Sequence, residues 1–149
     1  MSTPNDILLQ VQTQLKASTD LSYVDDTKIF LGVRVNVDDY PYICIEPVSM
    51  SDISGAVTGK QYLKMKIAIL GVILMDTGTT DEVLADASLN SILKLENDIK
   101  KALDADQTLN QKVYLTNYIQ SIYDFSSYPV RGVQIEIEVQ FKQITTTRS

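Results

Sequence analysis

The sequence predicts an α+β fold, element order α-β-β-β-α-β-β, in which a mainly antiparallel twisted sheet is packed by two helices. Three observations carry that prediction. Val133, Ile135, Ile137, Val139 and Phe141 alternate with Gln134, Glu136, Glu138, Gln140 and Lys142, the period of a strand with one buried face. Near the start, Ile7, Leu8, Val11 and Leu15 recur instead at helical spacing. Between these segments, short runs rich in β-branched residues are punctuated by turn formers, and one long amphipathic segment separates the third run from the fourth. A chain of 149 residues fits one domain, 1–149. A domain near this size buries roughly 68–70% of its unfolded surface, enough for its own core.

Each element has a local reason. Thr3-Pro4-Asn5-Asp6 reads as a helix start, with a capping hydroxyl, a proline at the first helical position and acid in the first turn. The helix ends near Ala17-Ser18, and Gln10, Gln12, Gln14 and Lys16 take its polar face. Residues 28–35 read as the first strand, with Ile29, Leu31, Val33 and Val35 on one face. A turn at 37–41 follows, then a second strand over 42–48, and the two are expected to form an antiparallel hairpin. Residues 50–60 are polar, contain glycine and lack a period, which predicts a loop or an arm.

The third strand, 62–75, alternates at first and loses its polar face after Ala68, so that end is expected to be covered on both sides. Gly71 inside it predicts a bulge or the close approach of another backbone. Asp76-Thr77-Gly78 closes the strand, and Thr79-Thr80-Asp81-Glu82 is a capping box. The helix behind that box is expected to run to about Leu103, with Val83, Ala87, Ile92, Leu95, Ile99 and Leu103 roughly on one face. Residues 104–111 form a polar loop, 113–123 a weakly alternating strand, 124–129 a turn and 131–145 the last strand.

Composition narrows the function. There is no histidine, so the commonest general base and metal ligand are missing, and no Ser-His or Cys-His dyad can form within the chain. The single cysteine, Cys44, sits in the apolar run Tyr42-Ile43-Cys44-Ile45 and reads as a packed core thiol. Asp25-Asp26 and Asp38-Asp39 lack the spaced oxygens of a calcium loop and read as turn formers. Gly55 and Gly59 have no following Lys-Ser/Thr, so they do not make a phosphate loop. No catalytic, cofactor or metal site is expected. A net charge of −6, from 19 acidic and 13 basic residues, argues against gripping nucleic acid on a broad basic face. It does not exclude a protein that surrounds DNA without gripping it, where weak repulsion would help. The polar N-terminus predicts no signal peptide, and the longest apolar run, 67–75, is well under the ~20 residues of a membrane helix.

Length supplies a geometric hint. Strands of about 14 residues at ~3.3 Å each extend roughly 45 Å, whereas a compact domain of this size is roughly 38 Å across. The third and last strands therefore bend, or project and pair outside the domain. Tyr62, Lys64 and Lys66 would stand on the projecting part beside the arm that carries Ser51, Asp52 and Lys60. Glu136 and Glu138, two apart on one strand face, are expected on a solvent or lumen-facing surface. Tyr114, Tyr118 and Tyr123 gather around the fourth strand, a residue type equally at home in an interface or a half-buried sheet.

Three stretches, ILLQVQTQL near the start, KMKIAILGVILMDTGTTDE in the middle and YPVRGVQIEIEVQF at the end, together with the element order, give a pattern over nearly the whole chain. That pattern resembles the tail terminator (tail completion, minor tail) proteins of tailed bacteriophages. The resemblance implies a virion protein of the tail and neck, assembled in the host cytoplasm. It implies a homohexameric ring that caps the tail tube, stops its polymerisation and joins it to a neck or head-completion protein. DNA would pass through the opening without specific binding, and neither a membrane nor a cofactor is implied. The resemblance carries over no functional residue; the candidate contacts remain Ser51, Asp52, Lys60, Tyr62, Lys64 and Lys66. Another neck, tube or baseplate subunit is the nearest alternative. A small cytoplasmic ligand-binding module, or a histidine-free enzyme using Asp or Tyr, stands in a different class.

Overall fold

The computed structural model describes residues 3–32, 39–53, 60–74, 91–126 and 130–144. Outside the described residues lie Val33 and Val35, the predicted turn at 37–38, the predicted arm at 54–59 and the turn at 76–78. The capping box at 79–82, Val83, Ala87, the turn at 127–129 and Thr145 also lie outside them. The described elements are α1 (Pro4–Ala17), β1 (Ile29–Leu31), β2 (Tyr42–Asp52), β3 (Lys60–Leu74), α2 (Ile92–Asp104), β4 (Leu115–Asp124) and β5 (Val130–Ile144), with short 3-10 turns at Thr19–Leu21 and Asp26–Lys28. This is the expected α+β order.

The strands form a 5-stranded sheet in the order β1-β2-β3-β5-β4. At its centre β3 and β5 pair antiparallel along their whole length, from Lys60 opposite Ile144 to Leu74 opposite Val130. Cross-strand partners share a face. One face therefore carries Ile43, Ile45, Met65, Ile67, Ile69, Ile73, Val133, Ile135, Ile137, Val139 and Phe141, all of them buried. Ile7, Val11 and Leu15 of α1 and Ile92, Leu95 and Ile99 of α2 complete the same hydrophobic core. Helix α1 lies towards β1 and β2, and α2 towards β3 and β5.

Helix α1 begins as its sequence dictates. Thr3 accepts from the Asp6 backbone N–H, and Asp6 accepts from the Thr3 N–H, each at 3.2 Å, closing a capping box. Helix α2 departs from the expectation. Ser91 is extended, and its hydroxyl accepts from the Lys94 N–H at 3.3 Å, so a helix starts at Ile92 and does not run unbroken from the predicted capping box. A serine offers the backbone this competing bond, and a new start captures it.

Three further expectations change. The predicted β1–β2 hairpin is a parallel pair, with Ile29 opposite Ile43 and Leu31 opposite Ile45. Gly32 has φ +87, a left-handed turn that takes the chain out of β1 after three strand residues. Second, the base of the predicted arm is strand: Met50, Ser51 and Asp52 pair with Met65, Lys64 and Leu63, and Lys60 already belongs to β3. A bulge between Pro47 and Ser49 admits this continuation. Third, Gly71 faces side chains and not backbone. A Cβ there would lie 2.8 Å from Leu95 Cδ2 and 3.2 Å from Ile99 Cδ1, so the glycine lets α2 settle onto the sheet.

Candidate functional site

Ser51, Tyr62, Lys64, Lys66, Glu136 and Glu138 fall on one face of the sheet. Partner registers place Ser51, Lys64 and Gln140 in one row and Ser49, Lys66, Glu138 and Asn117 in the next, on the face opposite the helices. Glu46, Ala68, Glu136 and Gln120 follow, then Cys44, Leu70, Gln134 and Ile122. No described helix covers this face. The lysines and glutamates expected on separate surfaces are therefore cross-strand neighbours. Lys64 Nζ lies 3.6 Å from Glu138 Oε1, and Lys142 Nζ stands 5.7 Å from the centre of the Tyr62 ring. Asp52 parts from the group, because its partner Leu63 belongs to the helix-side core. Lys60 lies opposite Ile144 at the far end of the central pair.

Two placements correct the expectations. The backbone of Tyr62–Lys66 is not a projecting edge, since β3 is interior: β5 flanks it throughout and β2 pairs with it from Leu63 onward. The excess length of β3 is met by the equal length of β5. Glu136 is not a solvated carboxylate either, being only 7% exposed. Gln120 Nε2 donates to its Oε1 at 2.8 Å and Gln134 Nε2 to its Oε2 at 3.2 Å. The Gln120 bond, helped by the second glutamine and by Lys66, outweighs desolvation and holds the carboxyl below its usual range. Ala68 opposite it and Cys44 in the next row are buried as well.

The face is graded. Its far half is charged, with Lys64, Lys66, Glu138 and Lys142, whereas its near end carries Phe30, Tyr40 and Tyr42 with ring centres 6.4 and 5.6 Å apart in successive pairs. Gln120 and Glu136 mark the boundary.

On the helix side, two acid–tyrosine–lysine groups that sequence reasoning missed fasten α2 to its flanks. Tyr23 donates to Asp98 at 2.8 Å, and Lys94 reaches the same oxygen at 2.7 Å. Tyr123 donates to Glu96 at 2.5 Å, while Lys100 lies 3.1 Å from Glu96 and 4.2 Å from the centre of the Tyr118 ring. Burial raises the Glu96 carboxyl, but bonds from Ser121, Tyr123 and Lys100 together bring it below its ordinary range. The Tyr123 hydroxyl, facing that carboxylate, is pushed up to about 12. The helical i,i+4 spacing of each acid–lysine pair was the available signal. These tyrosines are thus half anchor and half surface.

A groove of about 190 Å³ opens between α2 and β4, lined by Lys100, Leu103, Thr116, Tyr118, Ile135 and Ile137 among others. That is below the usual volume of a small-molecule site and on the scale of one side chain. Among the described residues no group of three or more His, Cys, Asp or Glu could hold a metal ion, and no helix is long and apolar enough to cross a membrane.

No protein-family model matches the chain, and no curated protein matches it. Among solved structures, a chain of the virion of a native gene transfer agent (GTA) particle has a similar fold. The TM-score is 0.57 at 14% identity, over 91% of this chain and 96% of that one. At that identity the likeness is one of fold.

Proposed function

We propose that this chain is a structural subunit of a phage-type virion, and within it a tail terminator. Its copies form a ring, a hexamer, that caps the tail tube, halts polymerisation and joins the tail to the neck. The observation that carries the reading is the fold shared, nearly end to end, with a chain of a gene transfer agent virion. The element order and the three stretches that resemble tail terminators supply the finer part. The sheet's architecture supports assembly: among the described residues it ends on one side in β4, which no described strand flanks, and no described helix packs on the face opposite α1 and α2. The net charge of −6 suits an opening that passes DNA without holding it.

Light scattering with negative-stain imaging of the full chain, alone and with tail tubes, tests this. Six-fold rings seated on tube ends are the expected result. Stacked tubes would make the chain a tube subunit, and a monomer that never associates, even with tubes, would overturn the assembly reading in favour of a small binding module.

A further inference from the structure

We propose that the two bare borders of the sheet are the two halves of one self-interface. The β4 border of one copy pairs with residues 47–52 of β2 in the neighbouring copy, whose Met50 enters the groove between α2 and β4. This rests on the ring reading above and adds which surfaces close the ring.

The β4 border is the larger half. Strand β4 ends the sheet, with no described element on its outer side. Its sequence, LTNYIQSIYD, is apolar for a border strand: Tyr118 is 51% exposed and Ile122 47%, and Tyr114 just before it 58%. Monomeric sheets blunt such edges with charge, proline or brevity. This strand is ten residues long without proline; its one acid is its last residue, and its one irregularity is a bulge between Tyr118 and Gln120.

The opposite border supplies the match. Strand β1 covers only Ile43, Cys44 and Ile45 of β2, so residues 47–52 have no described strand on that side. Val48, Met50 and Ile53 are exposed there. Pro47 lacks an N–H and the register shifts just after it, so the pairing available is short and side-chain burial must supply most of the contact.

Polarity and facing select the partner. Strands β2, β3, β5 and β4 are antiparallel in succession, so β4 runs opposite to β2. Copies set side by side in one orientation therefore bring β4 against β2 antiparallel, the form short strands favour. In a sheet continued across that contact, faces are continuous as well. Met50 lies opposite Met65, on the helix side, the side on which the groove opens. An unbranched thioether suits a groove of about 190 Å³ floored by Ile135 and Ile137. A β4–β4 contact would bury one border and leave both copies of residues 47–52 bare. Only the head-to-tail contact consumes both borders and repeats until it closes.

The test uses full-length Met50→Cys and Thr116→Cys chains, each alone and mixed, with a short bismaleimide; the native Cys44 is buried and does not compete. A cross-linked dimer only in the mixture is expected. In parallel, Met50→Glu should need about tenfold more protein than the parent to assemble, with its thermal melt unchanged. Cross-linking of Thr116→Cys alone, rings without a mixed cross-link, or Met50→Glu rings at parental concentration would each overturn the proposal and leave the ring reading intact. A parent chain that forms no ring, alone or on tubes, removes the ring reading itself.

Discussion

Glu96 shows how one residue can set the acid limit of the fold. It is 6% exposed, yet Tyr123 and Lys100 hold it ionised, so burial and hydrogen bonding oppose each other and bonding wins. Its folded pKa lies below its unfolded one, which means the unfolded chain binds the proton more readily. The stabilisation is therefore complete above the unfolded value and is lost as pH falls through the folded one. Glu96→Gln keeps the shape but cannot titrate. Its urea midpoint should depend less on pH than the parent's between about pH 5 and pH 3. At neutral pH it should cost about 1–3 kcal/mol, since the Tyr123 hydroxyl and the Lys100 ammonium lose their charged acceptor. Tyr123 behaves in the opposite sense. Its pKa is raised to about 12, so its contribution is intact below its unfolded value and fades as pH rises through the folded one. Equal acid slopes in parent and Glu96→Gln would show that other carboxylates govern acid unfolding.

Helix α2 is held at both ends by groups distant in sequence or easily overlooked, and these decide how well each element could be read in advance. At its C-terminal end Gln14 of α1 donates to the carbonyls of Ala102, Leu103 and Asp106 at 3.0, 3.1 and 3.0 Å. The Ala102 and Leu103 oxygens belong to the last turn of the helix, where the ladder supplies no donor, so the amide replaces water there, while Asp106 O also accepts from the Leu109 N–H at 3.2 Å. Gln14→Ala should destabilise the fold by about 1–2 kcal/mol, read as a lower denaturation midpoint. Ser91→Ala, at the other end, should cost about 1 kcal/mol. Gly71→Val should cost about 1–3 kcal/mol by pushing Leu95 and Ile99 off the sheet. The bounds of α1 were legible because Thr3, Pro4 and the apolar period act within a few residues of one another. The inward face of β5 was legible for the same reason. Gln14 was read as solvated because its partners lie 88 or more residues away. The parallel pairing of β1 escaped notice because local alternation fixes a strand's faces and not its neighbour. Residues 50–52 looked like loop because Ser and Asp are poor strand formers, and β3 imposes a register that propensity alone does not favour.

Across the whole molecule the candidate residues divide by what they offer a partner. The sheet borders offer backbone and apolar side chains, whereas the open face offers charge, with Lys64, Lys66 and Lys142 beside Glu138 in its far half. The sequence made these candidates recognisable as surface, but it could not show that lysines and glutamates from strands distant in the chain would share rows. A charged open face and an apolar border should therefore fail independently when mutated. The Lys64–Glu138 pair is partly exposed, with side chains 37% and 25% accessible, so the pair itself contributes under about 1 kcal/mol. Replacing both Lys64 and Lys66 by Gln removes two positive charges from β3, an interior strand, and changes no residue of either border strand. The Lys64→Gln, Lys66→Gln chain should fold and form rings like the parent. If the open face meets the tail tube, co-sedimentation of those rings with purified tubes should fall, and parental binding should weaken as salt rises while the variant's changes little. Rings that co-sediment as well as the parent's, with the same salt dependence, would move the tube contact away from this face. Rings lost altogether in the glutamine variant would place these lysines in the subunit contact, against the border pairing.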